Sequence, residues 1–336
     1  MRDFIDLGLL DTTTVRDLLD LAVRLERTPE PMALAGRVLG LVFLNQSLRT
    51  LASFQAGMAR LGGNSFVIAP GSSWNLEYRV GVPMTGDAAE HLREAIPVLA
   101  SYADVLGVRA FARGQDLDED LAEPVFETIS EICPVPLINL ESAINHPCQA
   151  LADWKTLDDL GVPANGGRFV LSWARHPKAL TLAVPAAVLQ MAAMRGMDVT
   201  VLRPEGFALP GSIMDRARNA ATEAGGSVTE TDDREAALTR AHVLYAKSWS
   251  STAAYGDKAA DAALRAALTG WTVEEDWFLP AASDCHFMHC LPVRRDVVVA
   301  SSVLEGRRSQ VVRQARNRMY AQMAVLHRLL GQGDCQ

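Results

Sequence analysis

Residues 38–50 read VLGLVFLNQSLRT. Val38 to Leu44 is a continuous apolar run of strand length, Asn45-Gln46-Ser47 interrupts it, and a helix-like stretch then runs to the stop at Leu61-Gly62-Gly63. The unit is strand, turn, helix. At its turn, Ser47-Leu48-Arg49-Thr50 gathers backbone N–H groups, two hydroxyls and one guanidinium at the positive end of a helix dipole, which suits an anion. A capped helix start with a surface arginine is the plainer account of so short a motif. The choice between them rests on what else the chain brings to the same place.

Outward from this unit the alternation repeats. On the N-terminal side, Val15, Leu18, Leu19, Ala22 and Leu25 recur at helical spacing and predict an amphipathic helix from Thr12 to Leu25, stopped by Pro29 and Pro31. On the C-terminal side, strands are expected at Ser65–Ile68, Val105–Val108 and Pro136–Ile138, with helices at Ala88–Tyr102, Leu121–Ile132 and Gln149–Leu160. After a loop holding Pro163, Asn165, Gly166 and Gly167 a second series begins. Its strands are Phe169–Trp173, Asp198–Leu202, Ser227–Glu230 and Val243–Lys247, and its helices Leu182–Arg195, Ser212–Ala224 and Asp233–Arg240. Strands alternating with helices build parallel sheets.

The expected fold class is therefore α/β, with two doubly wound parallel-sheet domains joined by the long helix after His146. The boundaries fall at 1–148 for the first domain and 149–310 for the second, and a C-terminal helix within 311–336 packs back on the first domain. Ligands belong in the cleft, at the carboxyl ends of the strands. The chain length of 336 residues fits two domains at roughly 150 residues each.

Composition narrows the function. With 49% hydrophobic and 21% charged residues the chain is a globular protein, neither disordered nor fibrous. A net charge of −8 and no Lys/Arg run argue against nucleic acid as a partner, so any anion site is local. The first residues, Met1 to Asp6, carry acids where a signal peptide has a basic and then an apolar stretch. The most apolar window, Ala179–Met194, is broken by Pro185 and Gln190 and is short for a bilayer span, so no membrane partner is expected. Five cysteines (Cys133, Cys148, Cys285, Cys290, Cys335) form an odd, scattered set that fits reduced thiols in the cytoplasm. No short repeat and no glycine-rich dinucleotide fingerprint is present.

The partners of the 47–50 turn occur in strand order. They are Arg109 after the strand ending at Val108, then His146-Pro147-Cys148-Gln149, then His289-Cys290-Leu291-Pro292-Val293-Arg294-Arg295. Each lies at or shortly after a predicted strand, so one cleft accommodates them together. Cys285-His286-x-x-His289-Cys290 has ligand types that suit zinc. In an extended segment, however, His286 and Cys290 project to one face and His289 to the other, and no second ligand pair is spaced to close a site. No metal is expected.

These four segments resemble the aspartate and ornithine carbamoyltransferase family, and the resemblance spans nearly the whole chain. Its branch acting on N-acylated ornithine is indicated by Asn139-Leu140-Glu141, His176-Pro177-Lys178, Tyr245-Ala246-Lys247-Ser248-Trp249 and Trp74. The resemblance implies transfer of a carbamoyl group from carbamoyl phosphate to the side-chain amine of an N-acyl-L-ornithine in arginine biosynthesis, with no cofactor. The phosphate would be held by Ser47, the N–H groups of Leu48 and Arg49, the side chains of Arg49 and Arg109, and Trp74 from a neighbouring subunit of a homotrimer. Thr50, Arg109 and His146 would polarise the carbamoyl oxygen. Arg49, Thr50, Arg109 and His146 are thus the implied catalytic set. Gln149, Cys290, Leu291 and Arg318 complete the carbamoyl phosphate contacts, and Glu141, Lys247 and Arg294 face the amino acid.

Acetyl-using members of the branch resemble one another in carrying a Glu where this chain has Ala89, and a Lys where it has Val298. A succinyl tail adds a carboxylate that a facing Glu would repel, so Ala89 favours N-succinylornithine over N-acetylornithine. Alternatively, Ala89 is only part of a helix N-terminus. Two residues depart from the family pattern: Leu51 stands where a second Arg follows Ser-x-Arg-Thr, and Arg316 where an acid precedes Asn-Arg. They leave room for a non-catalytic paralogue that binds the ligands without turnover.

Overall fold

The computed structural model describes residues 1–72, 74–79 and 81–331; Cys335 lies outside them. The first half of the chain runs through α1 (Thr12–Arg27), β1 (Val38–Phe43), α2 (Arg49–Arg60), β2 (Asn64–Ile68), β3 (Asn75–Glu77), β4 (Ala88–His91) and α3 (Leu92–Ala100). It continues with β5 (Val105–Arg109), α4 (Leu117–Leu121), α5 (Pro124–Ile132), β6 (Leu137–Glu141) and α6 (Pro147–Asp159). The second half holds β7 (Arg168–Trp173), α7 (Ala183–Met194), β8 (Asp198–Leu202), α8 (Gly211–Ala224), β9 (Ser227–Thr231), α9 (Arg234–Leu238) and β10 (Val243–Lys247). It ends with α10 (Lys258–Ala267), β11 (His286–Met288), α11 (Ser301–Glu305) and α12 (Val311–Leu330).

Two parallel sheets organise these elements, in the orders β2-β1-β5-β6 and β11-β10-β7-β8-β9. The two-domain α/β fold expected from the alternation is the fold observed. Between the sheets runs α6, buried from Pro147 to Leu157 on every face, so its sequence shows little amphipathic stripe. Helix α12 packs on α6, α1 and α2. Its Asn317 donates to Thr156 Oγ1 at 3.0 Å and Asp159 Oδ2 at 2.9 Å, both at the far end of α6.

A further tie between the halves lies at the cleft. Asp120 accepts Tyr255 Oη–H at 2.8 Å while its two oxygens also take the backbone N–H groups of Arg113 and Gly114. Beside it Gly256, at φ 83°, lies so close to Gln115 that an added Cβ would stand 2.2 Å from the Gln115 carbonyl oxygen. No larger residue fits this approach without moving one of the two chains.

Several expected elements differ from the observed ones. The helix read from Ala88 begins only at Leu92; Ala88–His91 instead forms β4, paired in parallel with β3. Alanine and glutamate favour helix in isolation, and strand pairing overrides that preference here. His91 Nδ1 then caps α3 by accepting Arg93 N–H at 3.1 Å. The helix read over 121–132 is split at Glu123, which takes φ 49°, ahead of Pro124 at the first turn of α5. Helices α10 and α11 were not expected as elements, and the strand ahead of His289, observed as β11, was expected without bounds.

Candidate active site

Strand order alone brings the key residues together. Phe43, Arg109 and Glu141 are the last residues of β1, β5 and β6, and the register pairs Phe43 with Arg109 and Arg109 with Glu141. The turn after β1 is tied to its neighbour by two bonds: Leu44 N–H to the Arg109 carbonyl at 3.0 Å, and Phe111 N–H to Asn45 Oδ1 at 2.7 Å. Ser47 Oγ accepts Thr50 N–H at 3.2 Å, and Leu48, 79% exposed, leads into α2. The first N–H groups of this helix and the Arg49 side chain therefore lie together at one turn, an arrangement that suits an anion.

Thr50 is buried, and Arg318 of α12 donates to its Oγ1 at 2.6 Å. Arg109 contacts Glu141 Oε2, with its guanidinium carbon 4.3 Å from the centre of the Phe111 ring. His146 precedes α6 and is buried, its Nε2 3.4 Å from the same Glu141 oxygen. Burial, with Arg318, Arg109, Lys247 and Arg49 around it, holds the imidazole well below its ordinary value, so it is uncharged at neutral pH. Burial likewise lowers the Arg49 guanidinium, which also feels Cys290, Arg109 and Glu141, and burial and Arg49 lower Arg318. Among the described residues, Arg49 Nε, Arg109 Nε, Arg318 Nε and His146 Nδ1 are buried without a hydrogen-bond partner. The three guanidinium N–H groups, gathered beside a neutral imidazole, match a small oxyanion.

The opposite wall comes from the second sheet. Lys247 ends β10, and Cys290 and Leu291 follow β11, Leu291 at φ 56°. Burial pushes the Cys290 thiol up, with Lys247, Glu141, Asp153 and Arg318 all within electrostatic reach, so both walls share one field. Cys290 is a protonated thiol there, unsuited to attack. His289 Nδ1 accepts Leu291 N–H at 2.9 Å, which leaves that atom committed within the loop. Arg294 is exposed, and its Nε lies 3.3 Å from His176 Nε2.

Three expected site residues stand apart from this cluster. Trp74, just ahead of β3, is 59% exposed and donates to Oε2 of Glu90 in β4 at 2.8 Å. Ala89 is exposed on β4, in a strand and so not at a helix start. Val298 is buried in the core of the second domain with Phe278, Phe287 and Trp277. The two departures from the family pattern are also accommodated. Leu51 packs against the first-domain core, and Arg316 pairs with Glu26 of α1 at 2.9 Å.

Residues the motifs did not point to complete the site. Gln149 Nε2 donates to Asp153 Oδ1 at 2.8 Å, and the same oxygen accepts Gln314 Nε2 at 2.7 Å. Glu123 Oε1 accepts Ile144 N–H at 3.0 Å and so holds the loop that delivers His146. Asp153 was within reach of a sequence argument, since it sits four residues after Gln149 on one helix face. Gln314 and Glu123 had no such signal.

Known proteins match this chain over most of its length. Residues 2–159 match the family model described as aspartate/ornithine carbamoyltransferase, carbamoyl-P binding domain, and residues 183–329 match its Asp/Orn binding domain. N-acetylornithine carbamoyltransferase of Xanthomonas campestris pv. campestris is 36% identical over 319 residues, 94% of each chain. N-succinylornithine carbamoyltransferase of Bacteroides thetaiotaomicron is 35% identical over 296 residues, 88% of this chain and 87% of that protein. The fold also superposes with TM-score 0.94 and 34% identity on a glutamate-to-alanine mutant of N-acetyl-L-ornithine transcarbamylase complexed with carbamyl phosphate and N-succinyl-L-norvaline, over 98% of this chain and 100% of that one.

Proposed function

This chain belongs to the aspartate/ornithine carbamoyltransferase family, in its N-acylornithine branch, and from that premise we propose that it carbamoylates N-succinyl-L-ornithine to N-succinyl-L-citrulline and phosphate. One observation carries the chemical part of the reading: Arg49, Arg109 and Arg318 converge with a neutral, buried His146 at the ends of β1, β5 and β6. Carbamoyl phosphate offers a dianion to the turn N–H groups of Leu48 and Arg49, to Ser47 and to the guanidinium groups. Its carbamoyl oxygen meets Thr50, Arg109 and His146, and its amide end meets Gln149.

The neutral amine of the acylornithine is positioned by the backbone carbonyls of Cys290 and Leu291 and adds to the carbamoyl carbon. Negative charge then grows on the carbamoyl oxygen, where the preplaced donors stabilise it. The bond from that carbon to the phosphate oxygen breaks, and the phosphate leaves with the electron pair and takes the amine proton. Positioning and electrostatics supply the acceleration, without a protein base. Glu141, which contacts Arg109 and His146, has to yield those donors to carbamoyl phosphate. The freed carboxylate then faces the amino acid, beside Lys247 and Arg294.

The choice of succinyl is supported by the exposed, uncharged Ala89, set by family resemblance against a Glu of acetyl-using members. That a glutamate-to-alanine form of an acetyl enzyme carries N-succinyl-L-norvaline agrees with it. N-acetylornithine is the competing substrate, favoured by the relative at 36% identity. The buried Val298 bears on the choice only by carrying no charge. We further assign the protein to the cytoplasm, to arginine biosynthesis, and to a homotrimer in which the exposed Trp74 of one subunit reaches the carbamoyl phosphate of the next.

The test is product formation from carbamoyl phosphate with ornithine, N-acetylornithine and N-succinylornithine in turn. Citrulline-type product with the succinyl compound, at the highest kcat/KM of the three, is expected. No product with any amine would overturn the reading, and product from the acetyl compound alone would overturn the acyl choice.

A further inference from the structure

Asp153 takes no part in the chemistry just described, yet it is fully buried where α6, α12 and β10 meet. Its Oδ1 accepts the side-chain amides of both Gln149, at 2.8 Å, and Gln314, at 2.7 Å. Gln314 extends the chain of bonds in two directions: its Nε2 lies 3.1 Å from Tyr245 Oη, and its Oε1 accepts His289 N–H at 3.1 Å. One carboxyl group thus links the carbamoyl phosphate residue Gln149 to the main chain that presents Cys290 and Leu291.

The cost of this arrangement marks it as more than packing. Asp153 Oδ2 is buried without a hydrogen-bond partner among the described residues, and burial raises the carboxyl to about 7. A buried carboxyl held at such a cost could be replaced in a purely structural joint by apolar packing. What an apolar residue cannot do is choose the orientation of an amide. With one N–H of its NH2 given to Asp153, the Gln149 amide is turned so that its Oε1, which has no partner within the described protein, is the free acceptor. An amide turned this way is an acceptor, suited to an N–H2 group such as that of a carbamoyl ligand.

We propose that Asp153 is a positioning residue: it fixes the flip of the Gln149 amide so that its oxygen faces the carbamoyl N–H2, and through Gln314 it holds the 289–291 main chain against the incoming amine. The inference rests on the carbamoyl phosphate reading above. Its test is therefore read first as carbamoyl phosphate binding to the full-length protein by calorimetry without any amine, and then as kcat and KM for each substrate. If the wild-type protein fails to bind carbamoyl phosphate, the reading of function falls; the variants are judged only against a wild type that binds.

Asp153→Ala is expected to weaken carbamoyl phosphate binding about tenfold and lower kcat by a similar factor, because the Gln149 amide is free to turn. Asp153→Asn retains an acceptor oxygen at the same place and is expected within about threefold of wild type on both measures. Gln314→Ala, which cuts only the second arm, should raise the KM of the acylornithine about fivefold and leave carbamoyl phosphate affinity within about twofold. A merely structural role would lower the melting temperature and the folded fraction without moving these ratios. Carbamoyl phosphate affinity in Asp153→Ala equal to wild type, or Asp153→Asn as impaired as Asp153→Ala, would overturn the proposal. Should Asp153→Ala not fold, the Asn variant and Gln314→Ala decide by the same ratios.

Discussion

The two walls of the cleft differ in how their side chains are held. On the wall assigned to carbamoyl phosphate, three buried groups are tied to partners: Arg109 to Glu141, Arg318 to Thr50, Gln149 to Asp153. On the wall assigned to the acylornithine, Arg294 is exposed with one bond to His176 at 3.3 Å, while Ala89, apart from both walls, lies open on a short strand pair. The first wall is set by strand ends and helix starts, whose positions the backbone dictates. The second is carried in part by loops, at Arg294 and the turn after β11, which change sequence at little cost to the fold. The proposed reaction thus puts carbamoyl transfer on the first wall and the choice of amine on the second.

The sharpest way to break this contrast is Arg109→Ala. It removes a guanidinium from the growing charge and leaves Glu141 and His146 unbalanced in a buried site, so kcat/KM should fall by about a thousandfold or more. Arg109→Lys should recover little, since a point charge does not reproduce the planar fork. A loss below about tenfold in steady-state kinetics would mean that the buried wall is not where the reaction is stabilised.

Trp74 tests whether the first wall is complete within one chain. Trp74→Ala should lower kcat/KM by about 10- to 100-fold. Mixing it with Arg109→Ala under exchange conditions should restore activity, because some mixed assemblies contain sites built from two intact contributions. No recovery in the mixed assay would leave each site within a single subunit.

Arg294→Ala addresses the second wall alone. The KM of the acylornithine should rise about tenfold, with the KM of carbamoyl phosphate changed less than about twofold. The melting temperature should stay close to wild type, since an exposed side chain with one bond contributes little to stability. Equal changes in both KM values would show the walls to be energetically one.

The same contrast explains what the sequence could disclose. The anion turn, Arg109 and His146 were legible because each is fixed by a local rule, a strand end followed by a turn or helix, and parallel strand order does the rest. The Thr50 contact with Arg318 joins residues 268 apart, and Asp120 meets Tyr255 across 135; no periodicity encodes such pairs. Arg318 on the returning helix contacts Thr50 of the turn, while the uncharged Leu51 packs, partly buried, against the core. Ala88–His91 was misread because strand pairing with Asn75–Glu77 leaves no alternation in four residues containing two alanines.

The smallest expected effect concerns the stability of the interlocked wall, where two buried imidazoles and one buried carboxyl oppose each other. Burial, with the surrounding cations, holds His146 and His289 well below their ordinary value of 6.5. Below about pH 6.5 the unfolded chain therefore binds two protons that the folded one does not, and stability falls as the pH is lowered. Asp153 acts with the opposite sign. Its carboxyl, ordinarily at 3.8, is raised to about 7 by burial, so between those values the folded protein holds a proton that the unfolded chain releases. That gain grows on acidification. From about pH 7.5 to about 5.5 the two histidines cost about 3 kcal/mol and Asp153 returns about 2, a net loss of about 1 kcal/mol. In Asp153→Asn the returning contribution is absent, so the melting temperature should fall by about 5 °C over that range against about 2 °C for wild type. Other groups that titrate there are common to both proteins and cancel in the difference between the two curves. Parallel curves in a calorimetric pH series would mean that Asp153 ionises as readily in the fold as in the open chain, and that its hydrogen bonds to Gln149 and Gln314 fully offset its burial.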